Sequence, residues 1–255
     1  MEKPSISEPS PPSPTRWPAD AFAWPRSLTI VAALAAAFLT GQALAAFIIA
    51  HSGTTLRDLR TEHLTWGILI AQFATYLPLL VVLWFGLPWL SGGSFSSLGL
   101  RGFDRKTLGA GLLGAVAMYA ATIGVAQIQY ALTRQKPEEA ATSLFASAHD
   151  PALLISFSLL AVIVAPFMEE LIFRGFAFNA LARYAPVWAA ALLSGLLFGY
   201  AHVVSQPSIS AFLPLAASGI VLAYVYQRSG SLTASMLTHG LFNLVNVVLI
   251  TVKVS

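Results

Sequence analysis

The chain contains no cysteine among its 255 residues. This absence excludes disulfide bonds, thiolate metal sites and a cysteine nucleophile. Charged residues are also scarce, at 10% of the chain, whereas a soluble domain has about 25%. Hydrophobic residues make up 56% of the chain, and the mean hydropathy is +0.72. This composition indicates a multi-pass membrane protein, and the net charge of +3 does not suggest binding to nucleic acid.

Three kinds of intramembrane protease site are absent as well. A serine site would need G-x-S-G, but Ser194-Gly195 is preceded by two leucines rather than by a glycine at the required position. An aspartyl site would need two aspartates within apolar runs, and every aspartate of the chain falls outside them. The zinc-binding motif H-E-x-x-H does not occur.

The chain does contain long apolar runs, which cover residues 28–50, 64–90, 107–132, 151–174, 187–203, 208–227 and 231–252. A helix needs about 20 apolar residues to cross a hydrocarbon core of about 30 Å. The runs therefore predict an all-α bundle of seven or eight membrane helices. An eighth helix or a re-entrant piece would lie around residues 177–186. Residues 1–27 are rich in proline and serine and are predicted to form a disordered tail.

Charge placement predicts the orientation of the chain in its membrane. With the N-terminus inside, and with Arg174 left out, the inner loops carry eight Lys and Arg residues and the outer loops five. This bias predicts a cytoplasmic N-terminus in a plasma or inner membrane. The two runs within 28–94 predict N-terminal membrane helices that follow the tail.

Two glycine patterns are interpreted as packing surfaces. Gly109-Ala-Gly111-Leu-Leu-Gly114 matches the dinucleotide-binding pattern G-x-G-x-x-G, but it lies inside an apolar run and no strand precedes it. Gly195 and Gly199 form a G-x-x-x-G pattern. Small residues at these spacings let membrane helices approach closely, so both patterns predict helix contacts.

The most informative polar residues are adjacent acids within the fourth run, Glu169 and Glu170. Ionisable residues within membrane segments are costly and mark functional sites. Glu170 and Arg174 are four residues apart and share a helix face, so they are expected to pair. Adjacent helical residues point about 100° apart, so Glu169 is expected to face a cavity instead. Pro166 removes a backbone N–H from the turn before the acids, where we expect water to enter.

Polar side chains in two later runs can join these acids. His202 ends the fifth run, and His239 and Asn243 share a face of the seventh. These side chains converge with Glu169 if the fourth, fifth and seventh helices surround one cavity. Glu169 lies near the end of its predicted helix, and His202 lies at the far end of the next. Convergence therefore predicts that the segment around 175–190 is short, re-entrant or interfacial.

These residues fall into three motifs that occur in the order of a known family. The motifs are Glu169-Glu170-Leu-Ile-Phe-Arg174-Gly175, Phe198-x-x-x-His202 and His239-x-x-x-Asn243. Together they resemble the CAAX protease and bacteriocin-processing family, also called ABI or type II CAAX prenyl endopeptidase-like. The resemblance covers about residues 95–250 and includes an entry segment, Ser97-Leu-Gly-Leu-Arg101.

The resemblance implies an intramembrane endopeptidase whose catalytic domain lies within 95–252. It implies that Glu169 and His202 activate water, and that His239 and Asn243 hold the oxyanion or complete the polar site. Glu170 and Arg174 are included as supporting site residues. The chemistry leaves metal dependence open: Glu169, His202 and His239 either ligate a divalent metal such as zinc or polarise water directly. No cofactor is certain.

The implied partners are the lipid bilayer and a peptide or protein substrate at the membrane. A prenylated C-terminus, a bacteriocin-type leader peptide and another membrane protein all suit the resemblance as substrates. Two other functions remain open from the residues alone. A non-catalytic member of the same fold would act as an immunity factor or scaffold, and Glu/His clusters also serve proton-coupled transporters. No inverted repeat is evident, which makes a transporter the weaker alternative.

Overall fold

The computed structural model describes residues 20–55, 58, 64–134, 150–203 and 209–254, and within them all regular secondary structure is helical. Seven main helices are present: α1 (Trp24–His51), α2 (Trp66–Ser91), α3 (Arg105–Thr133), α4 (Pro151–Ala182), α5 (Val187–Val203), α6 (Phe212–Ser229) and α7 (Leu232–Val254). A short 3-10 turn at Ile209–Ala211 precedes α6. The all-α fold class is confirmed, and the helices lie where the apolar runs predicted them.

Five of these helices, α1, α2, α3, α4 and α7, are long and apolar enough to cross a membrane. The shorter apolar helix α5 has 17 residues. The chain is therefore an integral membrane protein with a helical bundle. Residues 1–19 of the predicted tail lie outside the described residues. The rest of that segment is ordered, because α1 begins at Trp24 and Phe22 is buried and donates its N–H to the carbonyl of Leu90.

Local sequence signals explain where the helices begin and end. Asp104 accepts a hydrogen bond from the backbone N–H of Thr107 at 2.7 Å and so caps the start of α3. This backbone bond also lowers the pKa of the Asp104 carboxyl. Asp150 caps α4 in the same way, and Pro151 occupies the first helical position. Gly230 has a φ of 60° and ends α6, because glycine adopts this left-handed conformation without steric cost.

Helix α4 is longer than predicted and is not uniformly α-helical. It continues to Ala182 rather than ending near residue 174, and it contains two π-helical segments at Leu160–Val164 and Leu171–Phe178. A short turn then leads directly into α5. No separate eighth helix or re-entrant piece forms around 177–186, because residues 177–182 belong to α4 and the turn follows.

The glycine patterns predicted as packing surfaces lie at helix contacts. A Cβ atom placed on Gly195 would stand 2.7 Å from the backbone nitrogen of Ile220, and one on Gly199 would stand 2.8 Å from that of Ala216. Helices α5 and α6 therefore approach at backbone distance. Gly111 and Gly114 of α3 similarly face side chains of α7, whereas Gly109 faces open space.

The close α5–α6 contact predicts a stability difference between two glycine substitutions. Gly195→Ala should destabilise the bundle by about 1–3 kcal/mol, because the added methyl group meets backbone atoms of α6. Gly124→Ala in α3 meets nothing within 4 Å and is the matched control. It should be neutral or stabilising, since alanine is the better helix former. Thermal unfolding in detergent measures both, and equal melting temperatures for the two variants would contradict the contact.

Candidate active site

The hairpin of α4 and α5 brings the first two motifs to the same level. Thirteen residues separate Glu169 from the end of α4 at Ala182, and fifteen separate His202 from the start of α5 at Val187. At a similar rise per residue, two antiparallel helices place these positions opposite each other. The prediction that the 175–190 segment is short, re-entrant or interfacial was wrong. It assumed that α4 ends near residue 174, whereas α4 continues to Ala182.

Glu169 faces both imidazoles from the centre of the bundle. Its Oε2 atom lies 3.5 Å from His202 Nε2 and 3.8 Å from His239 Nε2. Both separations exceed the usual N–H···O range of about 2.7–3.2 Å. Oε2 is buried, and no described residue donates a hydrogen bond to it. The structure thus brings Glu169, His202 and His239 together around one point.

Glu170 faces away from that point and into a fully buried network. Arg174 donates to Glu170 Oε1 at 2.9 Å, which is the ion pair that their spacing predicted, and both side chains are 0% exposed. The Ser235 hydroxyl donates to Glu170 Oε2 at 2.5 Å. Arg174 also donates to the carbonyl of Gly219 at 2.6 Å. A buried charge needs such partners, and here they come from α4, α6 and α7 together.

His239 joins the two glutamates, one through each ring nitrogen. Its Nδ1 lies 3.1 Å from Glu170 Oε1, while its Nε2 faces Glu169. Glu170 is therefore more than the partner of Arg174, because it also orients the imidazole beside Glu169. The sequence predicted the pairing with Arg174 but not this second contact.

Hydrogen-bond partners determine which nitrogen of each imidazole carries the hydrogen. His202 Nδ1 lies 2.8 Å from the Phe198 carbonyl, which can only accept, so Nδ1 is the donor. His239 Nδ1 lies 3.1 Å from Glu170 Oε1, which also accepts from Arg174, so Nδ1 is the donor here as well. In the neutral rings both Nε2 atoms then carry lone pairs. Two imidazole lone pairs and a carboxylate oxygen converge, so the arrangement calls for a shared donor such as water.

Asn243 has a different environment from the one that the motif suggested. Its Nδ2 donates to the Ala161 carbonyl of α4 at 2.8 Å. In the π-helical segment the N–H of Ala165 donates to the carbonyl of Leu160, five residues earlier. In this register Pro166 stands where the donor for Ala161 would be, and proline has no N–H. The sequence predicted that water would enter the turn before the acids, but Asn243 supplies the missing donor for Ala161.

A cavity of about 640 Å³ connects these side chains. Glu169, His202, His239 and Asn243 all line it. Much of the remaining wall is apolar and comes from α2, α4 and α7, namely Ile68, Phe157, Leu160, Val247, Leu249 and Ile250. Most of these apolar residues belong to one hydrophobic cluster, so the cavity has an apolar limb and a polar end around Glu169, called the catalytic end below after the role proposed for it.

Several polar residues of the site were missed from the sequence. Gln72 and Tyr76 of α2, Tyr119 of α3 and Asn246 of α7 line the cavity, and Ser235 bonds Glu170. Asn246 follows His239 by seven residues and Asn243 by three, so its helical spacing was a usable signal. The others are neutral residues of ordinary kinds, and nothing in the sequence set them apart.

The metal question depends on the donors that are present. Glu169, His202 and His239 are the set that would ligate zinc with an open fourth position. Within the described part of the chain, however, no group of three or more His, Cys, Asp or Glu side chains is arranged to hold a metal ion. No metal is therefore assigned to the site.

Comparison with known proteins agrees with the motifs. Residues 151–245 match the family model described as "Type II CAAX prenyl endopeptidase Rce1-like", which confirms the resemblance. This range, called the matched segment below, contains Glu169, Glu170, Arg174, His202 and His239, together with Asn243. No solved structure matches the chain.

Three relatives illustrate the range of similarity. A Bacillus subtilis (strain 168) protein named "Putative membrane peptidase YdiL" is 26% identical over 60% of this chain and 58% of its own length. The "UPF0177 protein YaiF" of Lactococcus lactis subsp. lactis (strain IL1403) is 40% identical over 32% of this chain and 34% of its own length. An Escherichia coli "Uncharacterized 24.3 kDa protein" is 34% identical over 38% and 45%. The chain thus spans a third to three fifths of these relatives.

The buried ion pair predicts a strong dependence of each partner on the other. Arg174→Met should cost about 3–5 kcal/mol of unfolding free energy, because it leaves the buried Glu170 side chain without its cationic partner. The double variant Glu170→Gln with Arg174→Met should be more stable than Arg174→Met alone, since it removes the uncompensated charge. Denaturant unfolding in detergent measures both, and additive losses would show that the pair is not coupled.

Proposed function

We propose that this protein is an intramembrane endopeptidase that hydrolyses a peptide bond with a water molecule activated by Glu169 and His202. The observation that carries the proposal is the convergence of three acceptors, Glu169 Oε2 and the Nε2 atoms of His202 and His239. A single water can donate to two of them while its oxygen lone pair is directed at a substrate carbonyl. The similarity of the matched segment to type II CAAX prenyl endopeptidases supports the same reaction class.

The reaction follows from the roles that each side chain can take. Glu169 accepts a proton as the water oxygen attacks the carbonyl carbon, and the carbonyl π electrons move to oxygen. Collapse of the tetrahedral intermediate breaks the C–N bond, and the departing amine receives that proton from Glu169, directly or passed on through Nε2 of His202. The products are a carboxylic acid and an amine. His239, oriented by Glu170, stabilises the charges that develop beside Glu169.

The cavity supports an apolar, membrane-associated substrate. Its apolar limb lies next to the catalytic end, and its residues are on helices that cross the membrane. A prenylated peptide, a leader peptide and an apolar segment of another membrane protein share this chemistry. We further propose that the protein lies in the plasma or inner membrane with a cytoplasmic N-terminus, as the distribution of Lys and Arg indicates.

The catalytic role of Glu169 has a direct test. Purified protein in liposomes is incubated with internally quenched peptides of apolar sequence, and mass spectrometry identifies the cleaved bond. Glu169→Gln should abolish cleavage while folded yield stays normal, because glutamine has the same shape but cannot accept the proton. Asp20→Asn is the matched control, since Asp20 pairs with Arg26 and neither residue lines the cavity.

Two outcomes of that experiment would reject the proposal. One is the absence of cleavage of any peptide by the wild-type protein, which would favour a non-catalytic scaffold or immunity factor. The other is full retention of cleavage by Glu169→Gln, which would remove the general base from the mechanism.

Metal dependence has its own prediction. We expect cleavage to survive exhaustive chelation, because the carboxylate of Glu169 and the two imidazole lone pairs can activate water without a metal. The measurement compares initial rates before and after chelation, and again after zinc is added back. Complete loss on chelation with recovery on zinc addition would contradict this expectation and assign Glu169, His202 and His239 as ligands.

A further inference from the structure

The catalytic end of the cavity provides acceptors more readily than donors. When the rings of His202 and His239 are neutral, their Nε2 atoms carry lone pairs and accept hydrogen bonds, as the carboxylate of Glu169 does. One N–H bond of Asn243 is committed to the Ala161 carbonyl. Peptide hydrolysis, however, builds negative charge on the carbonyl oxygen, and enzymes stabilise that charge with preorganised donors. The proposed function therefore calls for a further donor beside the second N–H of Asn243.

Tyr76 of α2 provides a phenol in the wall of this cavity. It lines the same cavity as Glu169, and it is close enough for the two side chains to interact electrostatically. It lies outside the matched segment, which begins at residue 151. Buried tyrosine hydroxyls generally require a polar partner, and this one borders a polar cavity within an apolar bundle.

The surroundings of Tyr76 hold it in position. Its ring packs against buried residues of two hydrophobic clusters, so the side chain has little freedom to turn away. The adjacent residue Thr75 is fixed by α1, because a Cβ atom on Gly41 would stand only 2.7 Å from the Thr75 carbonyl oxygen. The turn of α2 that carries Tyr76 is therefore anchored from behind.

Gln72 determines the direction in which the phenol can donate. It lies one turn earlier on α2, lines the cavity, and its side chain hydrogen-bonds Tyr76. If the Gln72 amide donates to the phenolic oxygen, the phenolic hydrogen is available for another acceptor. A tyrosine hydroxyl has a single hydrogen, so this arrangement leaves it for the cavity.

We propose that Tyr76 is a catalytic residue that donates a hydrogen bond to the carbonyl oxygen of the substrate as it becomes an oxyanion, and that Gln72 positions it. The inference rests on the proposed peptidase function. Tyr76 keeps its proton throughout: water attacks the carbonyl carbon, Glu169 takes the proton from water, and the phenol stabilises the oxyanion until the C–N bond breaks. No further reactant is required.

The test uses the quenched peptide that the wild-type protein cleaves fastest. Tyr76→Phe removes the hydroxyl and retains the ring, so the packing of α2 is preserved. We expect kcat to fall about 10²-fold, the size typical of losing one oxyanion donor, with KM changed less than about twofold. Tyr130→Phe in α3 is the matched control, since Tyr130 is exposed and lies outside the cavity lining. Gln72→Leu should give a smaller loss of kcat.

A second measurement separates a catalytic role from a structural one. A phosphinic peptide with the cleaved sequence mimics the tetrahedral intermediate, and the uncleaved peptide bound to Glu169→Gln mimics the substrate. Adding Tyr76→Phe should weaken binding of the phosphinic peptide about as much as it lowers kcat/KM, while binding of the uncleaved peptide stays unchanged.

The possible failures are distinct. Unchanged kcat for Tyr76→Phe, with cleavage still abolished by Glu169→Gln, would overturn the role of Tyr76 and leave the proposed function intact. A raised KM with normal kcat would also overturn it, because the hydroxyl would then bind substrate and transition state equally. Absence of cleavage by the wild-type protein would instead reject the proposed function itself.

Discussion

The buried ion pair between Glu170 and Arg174 is the constraint on which the rest of the site depends. Both side chains are fully buried, and desolvation makes two charges in the core costly unless every partner is in place. Those partners are the Gly219 carbonyl on α6 and Ser235 and His239 on α7. The hydrogen bonds to this ion pair therefore hold α6 and α7 against α4. They also fix where His239 lies relative to Glu169.

The same constraint explains how two adjacent acids can share one site. Neighbouring helical residues diverge by about 100°, so Glu169 and Glu170 cannot face the same side. The structure places His239 between them, with Nδ1 towards Glu170 and Nε2 towards Glu169. Glu170 thus lies in the protein interior, and Glu169 lines the cavity. Because the buried hydrogen bonds of Glu170 orient the His239 ring, they also fix the position of Nε2 beside Glu169.

Much of the site could be predicted because ionisable residues are costly in membrane-spanning segments, so those that occur there indicate a functional site. Few ionisable side chains occur in the apolar runs, so Glu169, His202 and His239 stood out and their helical spacings suggested shared faces. The extension of α4 to Ala182 was not predictable from the same pattern, because π-helical segments leave apolar composition unchanged. The hydrogen bond of Asn243 could not be predicted either. It depends on the change from α-helical to π-helical hydrogen bonding just before Pro166. Tyr76 is an ordinary neutral residue, and only its position in the fold sets it apart.

Part of the cavity wall lies outside the matched segment, so similarity within that segment does not extend to the whole cavity. Glu169, His202 and His239 all lie in the matched segment, between residues 151 and 245. The opposite walls come from α2 and α3, including Ile68, Gln72, Met118 and Tyr119, which lie outside it. Proteins that share the segment can therefore share these polar residues while enclosing cavities of different shape and polarity. Since selectivity arises from the contacts that a cavity makes with its ligand, we expect α2 and α3 to contribute to ligand selectivity as much as the motifs do.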